Sequence, residues 1–318
     1  MPQSVTVTSP LGEGKLIFEK LTGREELGRL FEFKVELLSD DAAIKLDKIV
    51  GQNITIACEF PDGLKRYFNG EVIHFRQLTK TVDKYFCYEA LLRPRLWFLT
   101  CSSDCKIFQK KSVPDILKLV LDEYGITIKK QLSRTYNPRE YCVQYNETDF
   151  AFVSRLMEQE GIYYYFEHAQ GKHTLVLADS PSAHEPIPGK DTVPFMFRKA
   201  GYAKHIVYDW NVWQQFEPGT YAHTDYDFLK PRSDLKAQSK ITRTHAHAGM
   251  ELFSYPGLYS EVNDGQVIAR TRVVEMQTEW EVMAGKTNCP GFAAGKLFKL
   301  SAYQREDQNR EHLLIGAE

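Results

Sequence analysis

The chain has 318 residues, with 40 lysines and arginines against 42 aspartates and glutamates, and a formal net charge of −2. That balance gives no global electrostatic drive toward nucleic acid or an anionic membrane, and no apolar run reaches the roughly 18 residues a spanning helix requires. Two or three compact units are expected, because single cores rarely keep growing beyond about 250 to 300 residues. The start, MPQSVTVTSP, lacks the basic-then-apolar layout of a signal peptide, so synthesis and folding are expected in the cytoplasm.

The first hundred residues read as antiparallel β. Lys15 to Lys20, Leu30 to Leu38, Asn53 to Phe60, Leu64 to Leu78 and Tyr85 to Arg93 are strand-like, with Pro61-Asp62-Gly63 as a hairpin turn. Phe31, Phe33, Val35 and Leu37 alternate with Glu32, Lys34 and Glu36, the pattern of a strand that buries one face. Short turns and few intervening helices favour a small barrel or sandwich over a parallel sheet.

Around Cys101 the character changes. Ser112-Val113-Pro114-Asp115 reads as a helix start, and Ile116, Leu117, Val120, Leu121 and Tyr124 extend an apolar stripe as far as Gly125. A second helix is expected after Asn146-Glu147-Thr148-Asp149, with Phe150, Val153 and Met157 facing the core and Gly161 ending it. Ile162 to Phe166 and His173 to Leu177 then form an aromatic hairpin about Ala169-Gln170-Gly171-Lys172. The polar, proline-containing stretch Ser180 to Pro194 reads as a boundary.

Beyond Gly201 the β pattern resumes at His205 to Trp213, Gly219 to Phe228, Trp280 to Ala284, Lys296 to Tyr303 and His312 to Ile315. One helix is expected from Asp264 to Glu275, capped by Asp264, with Val267, Ile268, Thr271 and Val274 on one side. Ala294 to Leu300 repeats the layout of Val50 to Ile56, a glycine followed by an alternating strand, which hints at a distant repeat of the first barrel.

Candidate chemistry is thin. The six cysteines, Cys58, Cys87, Cys101, Cys105, Cys142 and Cys289, read as reduced thiols; Cys101 and Cys105 have a zinc-pair spacing but no second pair nearby. His245 and His247, with His223 and Asp225, could be drawn as metal ligands, and the plainer reading is polar residues in a loop. Glu158 with Glu160, or Glu25 with Glu26, could be paired carboxylates, but such residues are usually solvated. No nucleophile elbow, dinucleotide fingerprint or phosphate loop is present in the sequence. Lys106, Lys110 and Lys111 beside Arg93 and Arg95, interleaved with Trp97 and Phe108, form a basic run too short to mark a nucleic-acid site. The 17 tyrosines and 19 phenylalanines exceed what one core needs, which ranks assembly above catalysis. No catalytic, cofactor-binding or metal-binding residue is assigned, and no cofactor is expected.

Two segments carry a family resemblance: PREYCVQYNETDFAFVSRLMEQEGIYYYFEH at 138–168 and LLRPRLWFLTCSSDCKIFQKKSVPDIL at 91–117. FSYPGLY at 253–259, the 265–272 segment and the closing GKLFKLSAYQREDQNREHLLIGAE agree in order. Together they resemble the N-terminal hub region of the valine-glycine repeat protein G (VgrG) family, the spike of bacterial type VI secretion systems. The resemblance implies a mainly β fold: two related antiparallel barrels joined by an α+β subdomain, as in phage tail hubs. It divides the chain into a first barrel at 1–100, an α+β connection at 101–198, and a second barrel with return strands at 199–318. It further implies a homotrimer that docks on the hexameric Hcp tube, contacts baseplate proteins and carries effectors or adaptors into target cells. Export would then use the type VI machinery without a signal peptide, after assembly in the cytoplasm. Family members continue into an oligonucleotide-binding-like domain and a β-helix needle that receives a PAAR tip protein, parts this sequence does not contain. Rival readings are the tail hub of a contractile phage, a cell-wall hydrolase or metal-dependent enzyme, and a carbohydrate- or nucleic-acid-binding barrel.

Overall fold

The computed structural model describes residues 4–197 and 205–318. Six strands, β1 (Ser4–Thr8), β2 (Ile17–Glu26), β3 (Glu32–Ser39), β4 (Asn53–Glu59), β5 (Lys65–Val82) and β6 (Tyr85–Arg93), pair antiparallel in the order β1-β4-β5-β6-β3-β2. The β4–β5 hairpin turns at Gly63, whose φ of 83° is a conformation that favours glycine. Strand β3 buries Phe33, Val35 and Leu37 on one face, next to Phe31. Full burial of each such side chain contributes about 1.5 to 3 kcal/mol, whereas ion pairs on the outer face, such as Lys80–Glu36 at 2.6 Å, contribute at most about 1 kcal/mol. The inner face therefore sets the register.

The next segment packs onto this sheet. It comprises β7 (Ser103–Lys111), α1 (Val113–Glu123), β8 (Ile128–Gln131), β9 (Arg139–Thr148), α2 (Asp149–Glu160), β10 (Tyr163–Ala169) and β11 (Lys172–Ala178). Strands β7 and β9 form an antiparallel ribbon, and β10-β11-β8 a three-stranded sheet. Ile116, Leu117, Val120 and Leu121 of α1, with Phe152, Val153, Leu156 and Met157 of α2, enter the same core as Phe31, Val35 and Leu92. Helix α2 begins where Thr148 Oγ1 accepts the Ala151 amide at 3.1 Å, and ends at Gly161 with φ 65°. Phe150, expected inside, is only half-buried. At 3.6 residues per turn it lies about 90° from the centre of the stripe that Phe152, Val153, Leu156 and Met157 define. Strand β7 was not foreseen, because its residues are mostly polar and exposed.

The stretch Ser180 to Pro194, expected as a boundary loop, contains β12 (Glu185–Pro186) and β13 (Thr192–Pro194). The chain divides into two compact units: 1–158, 162–194 and 289–318 form the first, and 159–161 with 195–288 form the second. The second holds β14 (Val207–Gln214), β15 (Thr220–His223), β16 (Ala237–Lys240), β17 (Glu251–Ser254), α3 (Val262–Met276) and β18 (Glu281–Thr287). Here β14 pairs with β18, and β15 lies between antiparallel β16 and parallel β17. The chain then re-enters the first unit through β19 (Lys296–Ser301), β20 (Glu311–Leu313) and β21 (Gly316–Ala317). Strand β19 takes β12 and β13 in parallel and β20 antiparallel, and β21 extends the large sheet beyond β2.

Helix α3 departs from expectation in its orientation. Its buried residues are Gly265, Ala269 and Val273, while Val267 and Val274 are exposed. Small residues spaced by four let the helix approach β15 and β16 closely, and Gly265 lies under the Tyr259 ring where a Cβ would clash. Its first turn is preceded by Glu261, with Asp264 one turn in. The expected strand Gly219 to Phe228 is confined to Thr220–His223. The boundary proposed at residues 198 and 199 lies outside the described residues. The structure is mainly β, in agreement with the fold class read from the sequence.

Val153 is fully buried in the same apolar core as Phe152, Leu156 and Val35. Val153→Asp places an unpaired carboxylate there and is expected to cost about 3 to 5 kcal/mol, read as a lowered urea midpoint. Phe150→Ser, at the stripe's edge, should cost clearly less.

Candidate functional site

The densest polar chemistry of the first unit is buried where strands β2, β4 and β5 meet the β10–β11 hairpin. Asn69 on β5 is its pivot. Its amide nitrogen donates to Asn53 Oδ1 at 2.6 Å and Thr55 Oγ1 at 2.6 Å, while its Oδ1 accepts from Asn53 Nδ2 at 3.1 Å. The Asn69 backbone N–H donates to His168 Nδ1 at 3.2 Å, and Asn69 Oδ1 lies 2.7 Å from His173 Nδ1. His168 and His173 face each other across the hairpin in register, so one residue meets both rings.

These contacts fix both tautomers. His173 Nε2 accepts the Arg95 backbone N–H at 2.9 Å, which leaves its proton on Nδ1 to donate to Asn69. His168 accepts at Nδ1, so its proton sits on Nε2, which faces Glu25 Oε2 across 3.9 Å, beyond hydrogen-bonding reach. Phe31 packs its ring against both imidazoles, at 4.8 and 5.5 Å between centroids. Burial, then the neighbouring His173 and Arg66, lowers the His168 pKa to about 3. Burial, then Arg95, lowers that of His173 to about 4.

On the other side of the seam, Arg66 of β5 gives one guanidinium nitrogen to Glu25 at 2.6 Å and the other to the Pro290 and Phe292 carbonyls at 2.8 and 2.6 Å. Its guanidinium also lies 4.7 Å from the centre of the Phe68 ring. Burial raises the Glu25 pKa, and Arg66 opposes that shift. Glu71 accepts from Arg95 Nε at 3.0 Å and from Asn53 Nδ2 at 3.3 Å. Arg66 and Arg95 donate to fixed acceptors, both nitrogens of His173 are engaged, and His168 is held through Nδ1 while its Nε2 has no hydrogen-bond partner. The arrangement locks strands, hairpin and return segment together; it offers no poised nucleophile or acid–base pair.

The residues singled out in the sequence do not converge. His223 is buried and donates to the Gly265 carbonyl at 2.7 Å, whereas His245 stacks on Trp280 at 4.4 Å and His247 is exposed. Asp225 accepts the Leu258 and Tyr226 amides. No group of three metal-ligating side chains occurs among the described residues. Cys101 and Cys105 are exposed free thiols, the other four buried. Glu158 is exposed, Glu26 pairs with Arg24 at 2.9 Å, and Glu25 belongs to the seam. In the basic run, Arg93 pairs with Glu32, Arg95 with Glu71 and Lys106 with Glu123, which removes most of its field. Trp97 packs edge-on against Phe98, and Phe108 stacks on Phe152. Aromatic residues do stand outside the core: Tyr145 on the β7–β9 ribbon and Phe228 are 78% and 76% exposed.

The seam was missed because its hydrogen-bonded partners lie 14 to 226 residues apart in sequence, with no local spacing to mark them. The one available signal was His168 and His173, placed symmetrically about the predicted hairpin turn.

The buried polar groups of this β-rich scaffold serve cohesion, and aromatic residues such as Tyr145 and Phe228 stand outside its core. The chain belongs to the phage tail baseplate hub (GPD) family, whose sequence profile matches residues 24–318. It is 45% identical over 316 residues to the type VI secretion system spike protein VgrG1c of Pseudomonas aeruginosa, covering 99% of this chain and 43% of that protein. It thus spans less than half the length of that relative. By structure it is similar to the E. coli c3393 protein, described as a type VI secretion component resembling the T4 tail proteins gp27 and gp5: TM-score 0.67, 20% identity, 95% of this chain and 71% of that one. It is also similar to the 43 kDa tail protein of prophage MuSo2 from Shewanella oneidensis: TM-score 0.66, 13% identity, 98% and 92% coverage. The VgrG resemblance read from the sequence agrees with these matches.

Two outcomes follow from the seam. Arg66→Ala leaves Glu25 and two carbonyls without their donor and is expected to cost about 3 to 5 kcal/mol, with faster amide exchange in 289–318 as the local readout. In the unfolded chain both histidines protonate near pH 6.5, while the folded rings stay neutral down to about 4 and about 3. Their stabilising contribution is complete above pH 6.5 and declines as the pH falls toward 4, by at most about 1.4 kcal/mol per pH unit for each ring. Protonation of Glu25 in the folded state offsets part of this loss. Urea midpoints measured from pH 7 to 4 should fall, and His173→Gln should flatten that slope while lowering stability at pH 7.

Proposed function

We propose that this chain is the hub portion of a type VI secretion spike: a homotrimer that seats on the hexameric Hcp tube and helps carry effectors into a target cell when the sheath contracts. The carrying observation is the 45% identity to a type VI spike protein along 99% of the chain. A three-fold assembly cannot match a six-fold ring contact for contact unless each subunit presents two similar surfaces. Two related barrels, one in 1–100 and one in 199–318 about the 101–198 connection, meet that need. The repeated glycine–strand layout motivates this division, since Gly51 and Gly295 have φ values of 78° and 85° and precede β4 and β19, although β19 folds with the first compact unit.

The role is positional and non-enzymatic, a reading supported by Glu25, Glu71 and His173 each being hydrogen-bonded within the seam. Baseplate proteins and effectors or adaptors are the remaining partners, and a PAAR tip would be reached only through a needle. Assembly in the cytoplasm, followed by export through the type VI machinery, completes the reading. A contractile-phage tail hub is the second reading, favoured by the fold shared with the MuSo2 tail protein; the much higher identity to the spike protein ranks it below the first.

Multi-angle light scattering of the chain at micromolar concentration should give the mass of three chains, and the trimer should co-sediment with Hcp tubes. A strict monomer with no tube association would overturn the proposal.

A further inference from the structure

Asn69, the pivot of the seam, is followed by Gly70, and of the chain's eight asparagines it alone has glycine next in sequence. That dipeptide is chemically labile. In a flexible chain the glycine nitrogen can attack the asparagine side-chain carbon, because no Cβ hinders the approach. The new N–Cγ bond closes a five-membered succinimide ring, and the side-chain nitrogen leaves as ammonia, taking the amide proton with it. Water then adds to one of the two ring carbonyls and reopens the ring. The product is aspartate or, where the chain is rerouted through the side chain, isoaspartate. Water is the sole co-reactant.

Each half of the dipeptide is demanded by the fold. A Cβ at position 70 would lie 3.0 Å from Leu92 Cβ, 3.1 Å from the Arg93 carbonyl oxygen and 3.2 Å from the Phe31 ring, so any residue but glycine must displace its neighbours. Asn69 is fully buried, and its amide donates to Asn53 and Thr55 while accepting from Asn53 and His173. Folding also disables the reaction. Gly70 is held opposite Ile54 in the β4–β5 ladder, so its nitrogen lies in the sheet while the Asn69 side chain stands away from it. The side-chain nitrogen that would have to leave is held by two hydrogen bonds at 2.6 Å, and burial closes the carbon to water.

We propose that Asn69 is a deamidation site gated by closure of the seam: the folded chain protects it, whereas a chain that stays open is converted and cannot close again. Aspartate at this position cannot donate to Asn53 Oδ1 or Thr55 Oγ1, and it buries a charge in place of a neutral amide. Isoaspartate does more damage. It adds one atom to the backbone of β5 and shifts that strand against both β4 and β6. Deamidation is far slower than folding, so a chain that closes promptly escapes it. Once the seam is closed, conversion proceeds only through rare openings, and its rate follows the population of the open form.

The test follows the peptide containing Asn69 by mass spectrometry, with the full chain held at mildly alkaline pH in buffer and in denaturing urea. In urea Asn69 is expected to convert faster than any other asparagine, and Gly70→Ala to slow it severalfold; another asparagine outpacing it overturns the site. In buffer the wild-type conversion should be at least about a hundredfold slower than in urea. Equal rates overturn the gate. Arg66→Ala, which loosens the seam, should speed conversion in buffer and leave the rate in urea unchanged; a rate unmoved in buffer overturns the seam as the gate. Chains modified in urea should be missing from the folded fraction that size exclusion recovers after dilution, and Asn69→Asp should lower the urea midpoint. Modified chains that refold with the wild-type midpoint overturn the loss of closure.

Discussion

Arg66 is held between a carboxylate and two backbone carbonyls that belong to distant parts of the chain. An arginine with little contact with water cannot discharge by losing a proton, so each of its donors must be answered by a fixed acceptor. Glu25 of β2 and the 290–292 turn are therefore drawn to one point on β5. The neighbouring Asn69 imposes a parallel demand, because an amide has two donors and one acceptor to satisfy. Meeting these demands places the β10–β11 hairpin over the sheet and brings the return strands back to it. The apolar core supplies most of the cohesion; the polar seam selects which arrangement of that core is adopted.

Much of this was legible in the sequence and some was not, for definite reasons. Strands β3 to β6 followed from alternation, since their sheet buries one face and a period of two leaves little choice of register. Helices α1 and α2 were marked by their starts and by the glycines that end them. Strand β7 carried no such mark: its outer face is exposed and its pairing with β9 depends on a segment some thirty residues later. Helix α3 was assigned the wrong face because its valines were read as core, whereas its neighbours accept only small residues. The seam lay beyond sequence reasoning because hydrogen bonds between side chains a hundred residues apart leave no periodic trace.

The polar side chains of the seam answer one another inside the fold rather than facing solvent. Glu25, Glu71 and His173 are hydrogen-bonded within it, while Tyr145 and Phe228 stand exposed outside the core. A few polar groups are buried beside the apolar core, where they define geometry, and a few large apolar groups are left exposed.

The clamp at Arg66 joins atoms 224 and 226 residues apart in the chain. During synthesis at about 5 to 20 residues per second, the strands of the first sheet emerge well before the turn that closes it. For at least ten seconds or so, the nascent chain carries a sheet whose half-buried Arg66 has no carbonyls to hold and whose β2 edge is uncovered. A sheet begun first and closed last is most exposed to mispairing on the ribosome, the interval in which a chaperone would have most to protect.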